Sequence, residues 1–554
     1  MLHDTPVAGI MSSFADVIKH AAQNYPKTDQ DAYLYGTAGF RMKAEKLNFI
    51  AYRVGILASL RSQAKSAVTG VMITASHNPA CDNGVKIIEP HGEMLHVDWE
   101  SFATKMVNCR DEDLGNVIQS IIEETKLDPS ITPQVFVGMD TRPSSPGLSK
   151  ACQAGVSVMN GKVTDYGYVT TPQLHYIVWS HNTKFTHPPT QEGYYLKIST
   201  ALRQFLDLCK HSNSITQKVT VDGSNGVGAM KVKELQAYLG DMLTVNPVFD
   251  GSTGVLNYQC GADYVKSNQT SPVGLDLVPG EKYASFDGDA DRIVYYFITQ
   301  DGKFQLLDGD KIAILIASYL KQLLVDSGLS KEISLGLVQT AYANGASTEY
   351  ISDKLSVPVS CSKTGVKHLH HCALQYDIGV YFEANGHGTV MFSDKAAMTI
   401  DLAAKSADAN TAAGTASLKL SALTQLIMQI VGDAISDLVF VEAILTDLKM
   451  TLSQWNDQYT DLPNVLCKVS VADRQVIKTT NAERTATSPI GLQAAIDEAV
   501  LKVSKGRSFV RPSGTEDVVR VYAEASTLEE VKQLSLGVAC LVYDMCGGVG
   551  ERPV

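Results

Sequence analysis

Residues 218–229 read KVTVDGSNGVGA. A short β-branched run gives way to a turn of small and polar residues and then to a helical pattern, the grammar of a strand–turn–helix unit. The same grammar recurs at 135–142 (VFVGMDTR) and at 334–347 (SLGLVQTAYANGAS). Three such units at intervals of roughly 80–120 residues predict three domains of similar mixed α/β architecture, without any fixed-period sequence repeat. The glycines of 223–228 are spaced the wrong way round for G-x-G-x-x-G, so the turn reads as a strand-to-helix connection and not as a dinucleotide loop.

The tail has a different order. Residues 466–475 alternate like a strand with one exposed face, 488–503 read as a helix, and 507–511 and 518–523 read as two strands around a loop. A last helix starts near Ser526, capped either by Ser526 with Glu529 or by Thr527 with Glu530. This α+β order marks a fourth domain. A chain of 554 residues holds three or four domains at about 150 residues each. The boundaries we expect are 1–190, 191–304, 305–440 and 441–554, with the Ala/Ser/Thr-rich stretch 396–417 a connection or helical insertion in the third. The fold class is thus α/β in four domains, three similar and one α+β.

Composition narrows the function classes. With 45 % hydrophobic and 19 % charged residues, the chain is neither disordered nor collagen-like nor a small disulfide module. Its 47 Lys+Arg against 59 Asp+Glu leave a net charge of −12, a poor match for nucleic acid or an acidic membrane, though a few converging cations still suit a small anion. Ten cysteines include no C-x-x-C pair, which points to reduced thiols in the cytoplasm. The first twenty residues lack a basic region followed by an apolar one, so they are no secretory signal. Asp433, Asp437 and Glu442 interrupt the longest apolar stretch, around 418–447, and exclude a spanning helix. Nothing in the sequence marks an interface between copies, so the oligomeric state is unread.

Five motifs carry candidate chemistry. In Thr74-Ala75-Ser76-His77-Asn78-Pro79, Pro79 disfavours helix at Asn78 and leaves the Ser76 hydroxyl on a loop after an apolar run. No G-x-S-x-G elbow surrounds it, which argues against an esterase. In Asp287-Gly288-Asp289-Ala290-Asp291-Arg292, three carboxylates at alternate positions of a short extended loop can face one way, and their repulsion calls for a hard cation such as Mg²⁺. An EF-hand fails, because Arg292 and Ile298 stand where Gly and Glu belong. A phosphatase-type D-x-D loop is a rival that nothing else in the chain supports. Arg511-Pro512-Ser513-Gly514-Thr515-Glu516 combines hydroxyls, a glycine and a guanidinium into an anion nest, with Arg520 in the next strand. Glu383-Ala384-Asn385-Gly386-His387-Gly388 suits recognition of sugar hydroxyls. Tyr35-Gly36-Thr37-Ala38-Gly39-Phe40-Arg41 offers one more arginine for a phosphate.

In this order, G-T-A-G-F-R, T-A-S-H-N-P, D-G-D-A-D-R, E-A-N-G-H-G and R-P-S-G-T-E resemble the α-D-phosphohexomutase superfamily, over nearly the whole chain. Within it the chain resembles the eukaryotic branch acting on N-acetylglucosamine phosphates. That likeness rests on E-A-N-G-H-G in place of a G-E-E-S-type loop, on 260–266 (CGADYVK) and on 425–437 (QLIMQIVGDAISD). The resemblance implies four domains around a central cleft and interconversion of N-acetylglucosamine 6-phosphate and 1-phosphate, on the route to UDP-N-acetylglucosamine, with hexose 1,6-bisphosphate as activator. It implies a transferable phosphoryl group on Ser76 and Mg²⁺ held by Asp287, Asp289, Asp291 and an oxygen of that phosphoserine. Arg41, His77 and Lys86 fall around the reacting phosphoryl, Lys86 being the expected proton-transfer group. Glu383 and Asn385 would read sugar hydroxyls with help from His387. Arg511, Ser513, Gly514, Thr515 and Arg520 would grip the other phosphate, and Arg292 joins the substrate contacts. The rivals are a glucose or mannose phosphomutase of the same superfamily, a magnesium phosphatase, and a non-catalytic sugar-phosphate binder.

Overall fold

The computed structural model describes residues 7–209, 217–513 and 517–554. Its first sheet has the order β1-β3-β2-β4-β5, with β1 Phe40–Lys43, β2 Thr69–Ile73, β3 Asp82–Ile88, β4 Gln134–Met139 and β5 Lys162–Tyr168. Its centre is parallel (β2 with β4, β4 with β5) and its first edge antiparallel. The second sheet runs β10-β9-β8-β6-β7, from β6 Gln217–Asp222, β7 Leu243–Val248, β8 Tyr283–Phe286, β9 Ile293–Ile298 and β10 Phe304–Leu307. The third runs β12-β11-β13-β14, from β11 Leu335–Thr340, β12 Val359–Ser362, β13 Ile378–Phe382 and β14 Gly388–Phe392. The last is antiparallel, β15-β19-β18, from β15 Asn464–Ser470, β18 Arg507–Pro512 and β19 Val518–Glu524, beside a small hairpin of β16 Lys478–Thr480 and β17 Thr485–Ser488.

The three strand–turn–helix units form as expected. β6 ends at Asp222, the turn follows, and the helix Val227–Leu239 begins. Asp222 holds that turn: its carboxylate accepts the Ser224 N–H (2.8 Å), the Gly261 N–H (2.6 Å) and the Ser285 hydroxyl (2.8 Å). In the tail, β18 and β19 meet the expectation within a residue, the strand expected at 466–475 runs as Asn464–Ser470 and ends five residues early, and the helix is shorter than 488–503, spanning Leu492–Val500. Thr527, not Ser526, caps the last helix, accepting the Glu530 N–H. The stretch 396–417 is largely helical, in Asp394–Lys405 and Ala412–Leu426.

The chain packs as two compact units. One comprises Met1–Leu306, His387–Thr389 and Leu418–Lys449; the other comprises Leu307–Gly386, Val390–Ser417 and Met450–Val554. In the first, the helix Asn48–Lys65 is buried almost all round, so its arginines need internal partners. Arg53 finds them in the carbonyls of Met106, Val107 and Cys109 and in Asp111. Among the described residues no helix is long and apolar enough to cross a membrane.

The acids that interrupt the apolar stretch are themselves buried. Asp433 caps the helix Ala434–Leu448 by accepting the Ile435 N–H (3.1 Å), and it also accepts the Tyr194 hydroxyl (2.6 Å). Burial pushes its carboxyl up to about 6. One turn later, burial and then Asp433 drive Asp437 well above its ordinary value, and both Asp437 oxygens lack a partner. A folded-state value above the unfolded one contributes stability that is complete below the unfolded value, near pH 4, and lost as pH rises through about 6. Asp433→Asn keeps a carbonyl oxygen for the cap and turns its amide N–H toward the Tyr194 hydroxyl, which can accept it, but it does not titrate. The variant is expected to match wild type near pH 4 and to exceed it by about 2 kcal/mol at pH 7.5. Denaturant unfolding at both pH values checks this; a gap that does not grow with pH refutes it.

Candidate active site

In the first unit, Ser76 follows β2 by three residues and is only 1 % exposed. Its backbone is left-handed (φ +50°), a conformation that costs a non-glycine residue energy and needs support from its surroundings. The support is visible. Arg142, just past β4 and fully buried, donates to the carbonyls of Ser76 (2.8 Å), Asn78 (2.9 Å), Pro79 and Asp82 (2.9 Å). Asp140 pairs with Arg142 at 2.9 Å and accepts the Thr74 hydroxyl at 2.7 Å, and Thr74 in turn accepts the Ser76 N–H. Asn257 reaches in from the loop after β7 and donates to the carbonyls of Ser76 (2.7 Å) and Asn78 (2.9 Å). Ser224, on the turn read as a plain connection, orients Asn257 by donating to its side-chain oxygen at 2.6 Å.

The loop between β8 and β9 brings Asp287, Asp289 and Asp291 together, one ligand oxygen of each lying within 4.8 Å of the others. The loop is not extended throughout, as alternation in the sequence had predicted. Ala290 is left-handed (φ +57°), which folds the carboxylates inward. Gly288 packs against the serine loop so closely that a Cβ there would stand 2.6 Å from the Ser76 carbonyl. The Ser76 hydroxyl donates to Asp287 and lies 3.4 Å from Asp291. Thr171, at the start of the helix Thr171–Thr183, donates its hydroxyl to one Asp289 carboxylate oxygen and its N–H to the Asp289 backbone carbonyl. The second Asp289 oxygen is buried without a partner. Burial and the two neighbouring carboxylates push Asp287 well above its ordinary value. An orphaned buried oxygen in a tight all-oxygen cluster is what a hard divalent cation would satisfy, so these residues fit Mg²⁺.

Cations flank the carboxylate cluster and the serine loop. Lys86 on β3 lies 3.5 Å from Asp289, and Arg292 lies 3.8 and 3.9 Å from Asp287 and Asp291. Arg41 on β1 donates to the Asn78 side chain at 3.4 Å, while its Nε is buried without a partner. The field of Arg292, then burial and Arg41, holds the His77 imidazole well below its ordinary value, so His77 is neutral at physiological pH. Burial and Arg292 also lower Arg41. Mutually repelling cations gathered beside the cluster and the serine loop make a site that is completed by an anion. His387 Nδ1 lies 3.4 Å from Asp291. His175 was not foreseen: burial, then Lys86, pushes it down to about 3, and its ring bonds the Gly92 carbonyl.

In the second unit, Glu383 accepts the Gly365 N–H (3.2 Å) and the Asn385 amide (3.3 Å). Arg511 on β18 stands directly opposite Arg520 on β19, and Arg520 stands opposite Lys468 on β15. Directly opposed residues project from the same face, so one rung carries three cations. Like charges in this arrangement repel, and a bound anion relieves them. Lys468 was missed because only strand pairing places it there. Arg520 Nε is buried without a partner. The Ser513 N–H bonds the Val518 carbonyl, while Gly514 and Thr515 lie outside the described residues.

Comparison with known proteins places this geometry in context. Family models described as phosphoacetylglucosamine mutase AMG1, domains II and III, match residues 188–294 and 308–450. Phosphoglucomutase/phosphomannomutase models match as α/β/α domain I (residues 52–112 and 104–187) and as C-terminal domain (466–539). Phosphoacetylglucosamine mutase of Sus scrofa is 49 % identical over 97 % of this chain and 98 % of its own length. An N-acetylglucosamine-phosphate mutase of the α-D-phosphohexomutase superfamily, solved as its substrate complex, is 46 % identical with a TM-score of 0.92, covering 96 % of this chain and 99 % of that one. The Aspergillus fumigatus N-acetylphosphoglucosamine mutase, solved with GlcNAc-6P and magnesium, is 44 % identical with a TM-score of 0.91, covering 96 % and 99 %. A variant of that enzyme has been solved with glucose 1,6-bisphosphate.

Proposed function

We propose, from the premise that the chain belongs to the phosphoacetylglucosamine mutase family of the α-D-phosphohexomutase superfamily, that Ser76 is its phosphoryl carrier. The enzyme is an isomerase that interconverts N-acetylglucosamine 6-phosphate and N-acetylglucosamine 1-phosphate through a 1,6-bisphosphate, on the route to UDP-N-acetylglucosamine. Its cofactor is Mg²⁺, with hexose 1,6-bisphosphate as activator. The observation that carries the residue assignment is the Ser76 hydroxyl donating to Asp287, in a carboxylate cluster flanked by Lys86 and Arg292, while Arg41 holds the serine loop at Asn78.

Phosphoryl transfer asks a protein mainly for alignment and charge neutralisation. Asp287, Asp289 and Asp291 would hold Mg²⁺, which supplies electrostatic neutralisation of the phosphoryl oxygens. Arg41 and Arg292 neutralise the phosphoserine dianion, and neutral His77 adds a hydrogen-bonding group without a further charge. The phosphorus–Oγ bond of Ser76 breaks as a bond forms from phosphorus to the sugar hydroxyl. Lys86, once it has given up its own proton, takes the proton of that hydroxyl, and the Ser76 oxygen released as its bond to phosphorus breaks takes up a proton, so one proton moves from sugar to serine in this transfer and back in the reverse one. Glu383, Asn385 and His387 read the sugar hydroxyls. Arg511, Ser513, Gly514, Thr515 and Arg520 take the phosphate that is not reacting. After the first transfer the bisphosphate turns round, so this nest must accept the phosphate of either end. We assign the four domains to residues 1–190, 191–304, 305–440 and 441–554, and the enzyme to the cytoplasm.

A ³¹P NMR time course tests the reading. With Mg²⁺ and a trace of hexose 1,6-bisphosphate, an anomeric 1-phosphate signal is expected to grow faster from N-acetylglucosamine 6-phosphate than from glucose 6-phosphate. Lys86→Met is expected to slow it by about 10²- to 10⁴-fold, the usual worth of a positioned acid–base group. Faster reaction of glucose 6-phosphate would transfer the substrate assignment to the unacetylated sugar, and release of inorganic phosphate alone would mark a phosphatase. Unchanged turnover of the Lys86 variant would remove Lys86 from the proton step.

A further inference from the structure

The turn joining β16 to β17 holds three successive non-glycine residues in the left-handed region: Asn481 (φ +52°), Ala482 (φ +54°) and Glu483 (φ +68°). Single residues of this kind are uncommon and three in succession more so, and a turn this costly persists where its surroundings enforce it. Arg484 closes the turn on itself by donating to the carbonyl and side-chain oxygens of Asn481, and the hydrogen bonds that tie the turn to other segments fall on Glu483. One carboxylate oxygen accepts Nε of Arg511 at 2.8 Å. The other accepts the N–H (2.9 Å) and the hydroxyl (2.6 Å) of Thr364. The next residue, Gly365, donates its N–H to Glu383. One carboxylate therefore joins the arginine of the anion rung to the loop that braces the sugar-reading glutamate, and all of these residues lie in the second unit.

We propose that Glu483 is a positioning residue for substrate binding: it holds Arg511 by Nε, so that the two terminal nitrogens face the non-reacting phosphate, and it sets the 364–365 loop against Glu383. The proposal rests on the reading of Arg511 as a phosphate contact. An arginine held at Nε presents its two terminal nitrogens as a fork, the geometry that matches two phosphate oxygens. Glu483 touches neither the rung's anion nor the sugar; it acts through Arg511 and Thr364. Its loss therefore weakens binding of the sugar phosphate and leaves the chemical step intact.

The test measures kcat, KM and competitive inhibition by inorganic phosphate in the full-length enzyme. Variants are Glu483→Ala, Glu483→Gln, Glu483→Gly, Arg511→Ala and the double variant Glu483→Ala/Arg511→Ala. Glu483→Ala is expected to raise KM and the phosphate inhibition constant by about tenfold, the worth of one charge-assisted contact, with kcat within about twofold. Glu483→Gln, which keeps the acceptor for Arg511, is expected to recover part of the loss. Glu483→Gly removes the carboxylate while relieving the backbone, so it retains a thermal midpoint at least equal to wild type and shows the same KM increase. Effects of Glu483→Ala and Arg511→Ala should not add in the double variant. A raised KM in Arg511→Ala with an unchanged KM in Glu483→Ala and Glu483→Gly overturns the proposal alone. An unchanged KM in Arg511→Ala overturns the phosphate reading and the proposal with it.

Discussion

Ser76→Ala is expected to lose turnover by about 10⁴-fold or more, the scale seen when a covalent nucleophile is removed. The size follows from position. The hydroxyl is buried and aimed at a carboxylate cluster that Lys86 and Arg292 flank, while Arg41 holds the serine loop at Asn78, so the charges gathered there serve an atom the variant lacks. Binding depends on other residues, and the affinity of the variant for N-acetylglucosamine 6-phosphate should stay within about threefold of wild type, under 1 kcal/mol. Two measurements check this. Incubation with ³²P-labelled bisphosphate should label the wild-type protein and leave the variant unlabelled, and isothermal titration should show the sugar phosphate still binding. A variant that labels, or that turns over within about tenfold of wild type, would place the phosphoryl carrier elsewhere.

Much of this arrangement can be read in the sequence, for a definite physical reason. A strand–turn–helix unit is a local pattern, and β6, β11 and β4 appear where β-branched runs meet small polar turns. Asp287, Asp289 and Asp291 announce themselves because three charges at alternate positions are costly without a purpose. Other features depend on chain segments far apart in sequence. Arg142 lies inside a segment quoted for its fold grammar, yet its task is to bind carbonyls 60 to 66 residues away. Asn257 has no motif, and the turn that orients it reads as a simple connection. Lys468 joins Arg520 and Arg511 only through strand register. Glu483 sits in a hairpin whose left-handed residues carry no glycine to signal them. The left-handed backbone of Ser76 is equally silent, and Ala290 folds a loop that alternation presents as extended. Contiguous chemistry is legible; support from backbone carbonyls, register and strained turns is not.

The silent support should have the second-largest effect. Arg142→Ala is expected to destabilise the first unit by about 3–5 kcal/mol, the cost of leaving a buried partner charge uncompensated. Asp140 and Arg142 are both fully buried, and burial raises the Asp140 carboxyl even with the guanidinium beside it. Without Arg142 the carbonyls of Ser76, Asn78, Pro79 and Asp82 also lose their donor. At roughly 2.1 cal/mol/K of unfolding entropy per residue, a unit of about 340 residues shifts by about 1.4 °C per kcal/mol, so the thermal midpoint should fall by about 4–7 °C. Arg142→Lys separates positioning from stability. An ammonium preserves the charge opposite Asp140, but its three donors on one nitrogen cannot span four carbonyls as a planar guanidinium does. Assayed well below its midpoint, this variant should lose about tenfold in kcat, a serine misplaced by a fraction of an ångström, with KM within twofold. Asn257→Ala withdraws two of the same hydrogen bonds and should move kcat in the same direction by less. A lysine variant with wild-type kcat and midpoint would mean that the left-handed serine needs no cradle, and that the fold holds Ser76 through β2 and β3 alone.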